Sequence, residues 1–162
     1  MSIDTEPIIT VGPAKDQDPE AIAALLIPYV ELKIVLPRSP EDIRQFLPNF
    51  LVARVNDDEV IGSIALRDFS DGLQEIRSLV VRKDYAGKGL GTMLIEAAVA
   101  MARERKAKKV FTLTVRPRLF LRLGFVSAPV SDFPEKVWSD CLACPKRHCC
   151  DEVALVMPLQ NN

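Results

Sequence analysis

Lys88 and three glycines, in the run Gly87-Lys88-Gly89-Leu90-Gly91, are the residues of this chain whose types and spacing best suit an anion. Glycines let a backbone come close to a bulky group. The apolar spacing that begins at Leu90 is that of a helix. A helix start leaves N–H groups without intrahelical partners, and the peptide dipoles add positive potential there. Gly87 to Thr92 therefore make a cradle for a diphosphate. Two common phosphate motifs are excluded. A P-loop places Ser or Thr after its lysine to hold magnesium, and here Gly89 follows Lys88. A dinucleotide fingerprint spaces its glycines as Gly-x-Gly-x-x-Gly after a first strand. Here they stand at 87, 89 and 91, in mid-chain.

The elements that would position this loop can be read outward from it. Leu73 to Val81 is an apolar strand leading in, and the helix leading out carries Leu90, Met93, Leu94, Ala97, Ala98, Met101 and Ala102 on one face. Its end, Arg103 to Lys109, is basic, which complements the helix dipole and is read as a solvated terminus rather than a nucleic-acid site. Lys109 to Val115 alternates like a half-buried strand, and Leu119 to Phe125 is a short helix closing on Leu123-Gly124-Phe125. Upstream, Ile8 to Val11 is a first strand. Asp18-Pro19 starts a helix with Ile22, Leu25 and Leu26, with Asp18 as N-cap and Pro28 as its end. Ser39-Pro40 starts a second helix, leading into Ile43 and Phe46-Leu47. Phe50 to Val55 and Glu59 to Leu66 form a hairpin around Asn56-Asp57-Asp58. Adjacent strands followed by helical crossovers predict an α/β fold of the α+β mixed-sheet kind, with helices on the sheet's faces and one further strand after the short helix.

The chain has 162 residues, enough for one core, and residues 1–162 are read as a single domain. A net charge of -1 gives no overall field for nucleic acid or an acidic membrane. No apolar run approaches the ~18 residues of a membrane span. Met1 to Glu6 is acidic and lacks the parts of a signal peptide, so a cytoplasmic protein is expected. Every cysteine and the one histidine lie in Cys141 to Cys150. Cys141, Cys144 and Cys149 beside His148 are zinc-ligand types, but the spacing is tight, and adjacent Cys149 and Cys150 do not readily face one ion. Reduced cysteines packing as small hydrophobes are the preferred reading.

Gly-x-Gly-x-Gly after a Val-Val strand, an aromatic residue and a charged turn resembles the acetyl-CoA loop of the GNAT N-acetyltransferases. Ala86 stands where that family carries Arg or Gln, which removes one side chain and no backbone donor. The Leu-Gly-Phe at 123–125 is a second feature of the family in its usual place. Three further pieces narrow the resemblance: Val35-Leu36-Pro37-Arg38-Ser39, Glu75-Ile76-Arg77-Ser78-Leu79-Val80-Val81, and the string from Phe133 through Trp138-Ser139-Asp140-Cys141 to Leu155. Together they resemble short, single-domain bacterial amino-acid N-acetyltransferases related to N-acetylglutamate synthase, over about Ile8 to Leu159. The amino-acid-kinase-like domain of the long form, and feedback by arginine through it, are not expected.

This resemblance implies the GNAT fold, acetyl-CoA as cosubstrate, and a small-molecule amino acid as acceptor, with glutamate or glutamine in arginine biosynthesis first. Sheet-edge homodimers are usual in families of this kind, and the sequence leaves the oligomeric state open. The diphosphate would meet Ala86, Gly87, Lys88, Gly89, Leu90, Gly91 and Thr92, and the pantetheine arm would pair with Leu79, Val80 and Val81 as an added strand. A backbone N–H near Leu79 or Val80 would stabilise the oxyanion. The resemblance makes Glu75 the base that receives the ammonium proton, through water. Ser78 is a candidate donor to the leaving thiolate, though a poor acid. The family's usual Tyr is Phe120 here, which has no proton to give. Arg binds a carboxylate by a bidentate fork. Arg38 is the first choice for the acceptor's carboxylate. Arg77 is the second, being on the same strand face as Glu75. Lys136, Trp138 and Arg116 would line the acceptor pocket. The alternatives are a protein or other small-molecule amine as acceptor, and a non-catalytic acyl-CoA-binding module.

Overall fold

Runs of Val, Ile and Phe build the centre of a seven-stranded sheet. The structure, a computed structural model, describes residues 8–56, 58–69, 71–129, 132–133 and 153–159. In chain order the elements are β1 (Ile9–Pro13), α1 (Pro19–Glu31), α2 (Pro40–Gln45), β2 (Phe50–Val55), β3 (Glu59–Asp68), β4 (Leu73–Val81), α3 (Leu90–Glu104), β5 (Lys109–Thr114), α4 (Pro117–Arg122), β6 (Val126–Ala128) and β7 (Val153–Pro158). The sheet order is β1-β2-β3-β4-β5-β7-β6. All neighbours are antiparallel except β4 and β5.

Helices cover both faces. On one, Ile22 and Leu26 of α1 and Ile43 of α2 pack with Phe50, Val52, Ala65 and Val80. On the other, Leu94, Ile95, Ala98 and Ala102 of α3 pack with Leu51, Ala53, Ile64 and Leu66. Because both faces are covered, all of β2 is buried, which explains its continuous apolar run. A third cluster holds Phe111, Phe133 and Ala154, with the two rings stacked at 4.2 Å.

Ser39 caps α2 as its sequence predicts, accepting from Asp42 N–H at 3.1 Å. The α1 expectations need correcting. Pro28 does not end the helix, which runs on to Glu31. Proline forfeits one N–H bond, but Leu32 N–H still donates to Pro28 O at 3.2 Å, and the Tyr29 hydroxyl anchors the last turn on Val81 O. Asp18 stands at the N-cap position without capping. Its carboxylate instead accepts from Lys15 N–H at 2.6 Å and pairs with Arg54, the one charged residue within β2.

The apolar stripe of α3 centres on Leu94, Ile95 and Ala98, so it is wider than the predicted face, which leaves out Ile95. Met93, which that face includes, is 40% exposed at its margin. Two strands, not one, follow the short helix among the described residues. β6 has only three residues, too few for periodicity to reveal, and pairs with β7 at the sheet edge. No helix of the described residues is long and apolar enough to cross a membrane.

Candidate active site

β4 and β5 pair only over Leu73–Glu75 against Lys109–Phe111. The last tie is the Thr112 hydroxyl, which donates to Ile76 O at 3.0 Å. Beyond it the strands part, and a cleft of about 800 Å³ opens beside the rest of β4. That volume lies in the range of ~300–1,000 Å³ typical of ligand pockets.

On its other edge β4 pairs with β3 through a register shift. Ser63 faces Val80 and Ala65 faces Arg77, so Ile64 is opposed by both Ser78 and Leu79. This is a β-bulge, and Ser78 takes φ 55° within it, a left-handed conformation that costs ~1–2 kcal/mol outside glycine. The fully buried Ser63 holds it there, its hydroxyl donating to Ser78 O at 3.1 Å. Past the bulge, Arg82 N–H donates to Ile61 O at 2.7 Å. By antiparallel alternation the amide groups of Val80 and Arg82 then face β3, and those of Leu79 and Val81 face the cleft. The bond from Tyr29 to Val81 O agrees with that direction. An unpaired strand edge turned towards a cleft can take an extended, amide-bearing ligand.

The glycine loop follows directly. Gly87 and Gly89 take φ 78° and 83°, and an added Cβ would meet nothing within 4 Å at either. Backbone conformation, not crowding, therefore demands glycine there. At Gly91 an added Cβ would come within 2.8 Å of Leu119 Cδ2, the movable end of a side chain, which shows that α4 lies against the start of α3. Gly89 occupies the N-cap of α3, and no side chain caps that first turn. Of the residues predicted for this loop and strand, Leu79, Val80, Val81, Ala86 and Gly91 line the cleft. Val80 and Leu90 are each 2% exposed, so a ligand there would meet their main chain. Lys88 Nζ sits 5.1 Å from the Tyr85 ring centre. Arg82 is committed elsewhere, to Asp84 at 2.8 Å and Glu59 at 2.7 Å. Those two carboxylates, Asp84 first, raise its already high pKa.

Glu75 lines the cleft and is 1% exposed, its Oε1 3.7 Å from Arg77 Nη1. Across the ladder Glu75 faces Arg67. Arg77 borders both the cleft and a smaller neighbouring cavity of about 360 Å³, which Arg38, Arg67, Asp42, Phe46 and Phe50 also line. Arg38 lies over the Phe50 ring at 5.2 Å and is paired with Asp42. Arg67 lies over the Phe69 ring at 4.7 Å. The fold thus brings Arg38 and Arg77 to one cavity, while Arg38 stays outside the main cleft. Sequence reasoning missed Arg67 and Ser63; the register that pairs them with β4 joins separate segments and leaves no local mark. Ser78 lines the cleft, as does Arg116. Phe120 is buried against Phe125, ring edge to face, at 5.2 Å. Lys136, Trp138, His148, Cys141, Cys144 and Cys149 lie outside the described residues. Among the described residues no cluster of three or more metal-ligating side chains occurs.

Residues 21–125 match the family described as acetyltransferase (GNAT) family. The chain is 38% identical over 146 residues to an uncharacterized N-acetyltransferase of Chlorobaculum tepidum, covering 90% of this chain and 94% of that one. It is 34% identical over 125 residues to an amino-acid acetyltransferase of Shewanella oneidensis, 76% of this chain but 28% of that protein. Its fold is similar to that of N-acetylglutamate synthase from Neisseria gonorrhoeae, solved with coenzyme A and N-acetyl-glutamate. The TM-score is 0.83 and the identity 26%, over 97% of this chain and 36% of that one. It is also similar, at a TM-score of 0.79 and 25% identity, to a Mycobacterium tuberculosis protein solved with CoA, over 93% and 99% of the two chains.

Proposed function

This chain belongs to the acetyltransferase (GNAT) family, and on that premise we propose that it acetylates the α-amino group of an acidic amino acid, L-glutamate ahead of L-glutamine. The coarser activity, acetyl-CoA-dependent N-acetyl transfer, comes with the family. The residues present fit the cosubstrate. The glycine loop and uncapped α3 start suit a diphosphate, and the cleft-facing edge of Leu79 and Val81 suits an amide-bearing arm.

One observation carries the choice of acceptor: Arg38, Arg67 and Arg77 share a cavity in which Asp42 is the only carboxylate among the described lining residues. Guanidinium groups suit carboxylates, and three of them suit an acceptor with two better than an acceptor with one. The same charge disfavours a polyamine. Amino-acid acetyltransferases among the relatives support the reading.

Acetyl-CoA supplies a thioester carbonyl. Leu79 N–H, turned outward by the bulge at Ser78, donates to that carbonyl oxygen as negative charge develops on it. Glu75 receives, through water, the proton the ammonium must lose before it attacks. The arginine cavity fixes the acceptor's carboxylates and so aims its amine. Phe120 puts an apolar ring where an acid would stand. Thiols ionise near ~8.5, so release of a thiolate would not require a dedicated acid, and Ser78 is the hydroxyl on hand to donate to it.

A thiol-release assay with acetyl-CoA and the twenty amino acids tests this. Glutamate is expected to give the highest kcat/KM, Arg38→Ala to raise the KM for glutamate, and Arg67→Gln to narrow the preference over glutamine. Turnover confined to peptide N-termini, lysine side chains or polyamines would refute the acceptor. No turnover with any amine, despite CoA binding, would leave only a non-catalytic binding module.

A further inference from the structure

The cleft is cationic out of proportion to the chain. Among the described residues, Lys33, Arg77, Arg116, Arg118 and Arg122 line it against a single carboxylate, Glu75, although the whole chain carries -1. Two of these cations, which like Lys33 and Arg116 have no internal partner among the described residues, stand together on α4. Arg118 and Arg122 are exposed, and among the described residues neither makes an ion pair or a side-chain hydrogen bond. They stand four residues apart on α4, so they share a face and repel each other. Arg118 lies in the first turn, where the helix dipole also disfavours a cation.

Their place in the fold supplies a reason. Leu119, next to Arg118 and one turn before Arg122, is the side chain that touches Gly91 of the phosphate loop. Gly91 and Ala86 of that loop line the same cleft as Arg118 and Arg122, so a CoA molecule with its diphosphate on the loop and its arm along β4 would bring its nucleotide end towards this face of α4. The ribose that carries the diphosphate also carries a 3′-phosphate. We propose that Arg118 and Arg122 bind this ribose 3′-phosphate, so that the protein distinguishes CoA from 3′-dephospho-CoA. The assignment rests on reading the cleft as an acetyl-CoA site. It relieves the repulsion between the two guanidiniums and uses the ligand chemistry they suit best, a phosphomonoester held by charge-assisted bonds.

Calorimetric titration of the full chain with CoA and with 3′-dephospho-CoA tests it. The unaltered protein is expected to bind CoA at least about tenfold more tightly, as one charge-assisted contact would give. The double variant Arg118→Gln/Arg122→Gln should bring the two affinities within about twofold, mainly by weakening CoA. Lys106→Gln, a charge removed from the exposed far end of α3, should leave the ratio as it was; both variants are checked for unchanged melting. An unaltered ratio in the double variant overturns the assignment. So does an equal fall in both affinities, or loss of discrimination in Lys88→Gln alone. If the unaltered protein binds neither molecule, the reading of the cleft falls and the assignment with it. If it binds both equally, the assignment alone falls.

Discussion

Ser78 shows how one residue can set the chemistry of a strand. Its left-handed backbone lets two residues of β4 oppose Ile64, and that extra residue turns Leu79 outward. The hydroxyl that could donate to a thiolate and the conformation that aims an amide are separable by substitution. Ser78→Gly removes the hydroxyl and relieves about 1 kcal/mol of backbone cost, so its melting temperature should be equal or higher. If the bulge matters more than the hydroxyl, its kcat should stay within about tenfold of the unaltered protein. Ser78→Val puts a β-branched side chain where φ is positive, and both melting temperature and kcat should fall. Equal kcat values for the Gly and Val variants would detach the bulge from catalysis. The bulge could not be read from the sequence: serine is not the residue that announces a left-handed position, and a bulge is a relation between two strands.

At the scale of elements, one buried pair ties α1 to the sheet. Arg54 interrupts the apolar run of β2, and Asp18, at the start of α1, meets it with both oxygens. Burial pushes the Asp18 carboxyl up, but the bonds from Arg54 and Lys15 N–H, with their charges, outweigh it and hold the carboxyl below its ordinary value. A carboxyl depressed in the folded state adds stability above its unfolded pKa, near ~3.9. That stability is lost as pH falls through the folded pKa. Asp18→Asn leaves Arg54 buried without its carboxylate, at an expected cost of about 3–5 kcal/mol at pH 7. Urea unfolding at a series of pH values checks both parts. The variant should also lose less stability than the unaltered protein between about pH 4 and pH 2. The strands and main helices were legible in the sequence because each repeats its pattern over several residues: β4 has the predicted bounds, and α3 starts at Leu90. Pro28 and Asp18 misled because their local preferences were overridden by contacts from other strands, Val81 O and Arg54.

For the whole molecule, the parting of β4 from β5 is what a ligand would exploit. A strand edge left unpaired is a loss that a bound arm makes good, so binding and folding are linked. CoA at about 100 times its dissociation constant should stabilise the fold by ~2.7 kcal/mol. For a chain of 162 residues, that is a rise in melting temperature of about 5–11 °C. Thermal melts with and without CoA measure it, and an unchanged melting temperature at saturating CoA would contradict the linkage.

By itself the sequence determined the parts. Local spacing makes the glycine loop an anion cradle, puts a helix behind it and a strand before it, and sets Glu75 and Arg77 on one strand face. Such features depend only on residues within a few positions of one another. The tertiary structure alone decided how the parts meet. It parted β4 from β5, set Ser63 against the bulge, gathered Arg38, Arg67 and Arg77 around one cavity, and laid the arginines of α4 beside the loop. Formal charge summed over the chain is close to neutral, yet its cleft is basic, because packing decides which charges face one another and summation over a sequence does not.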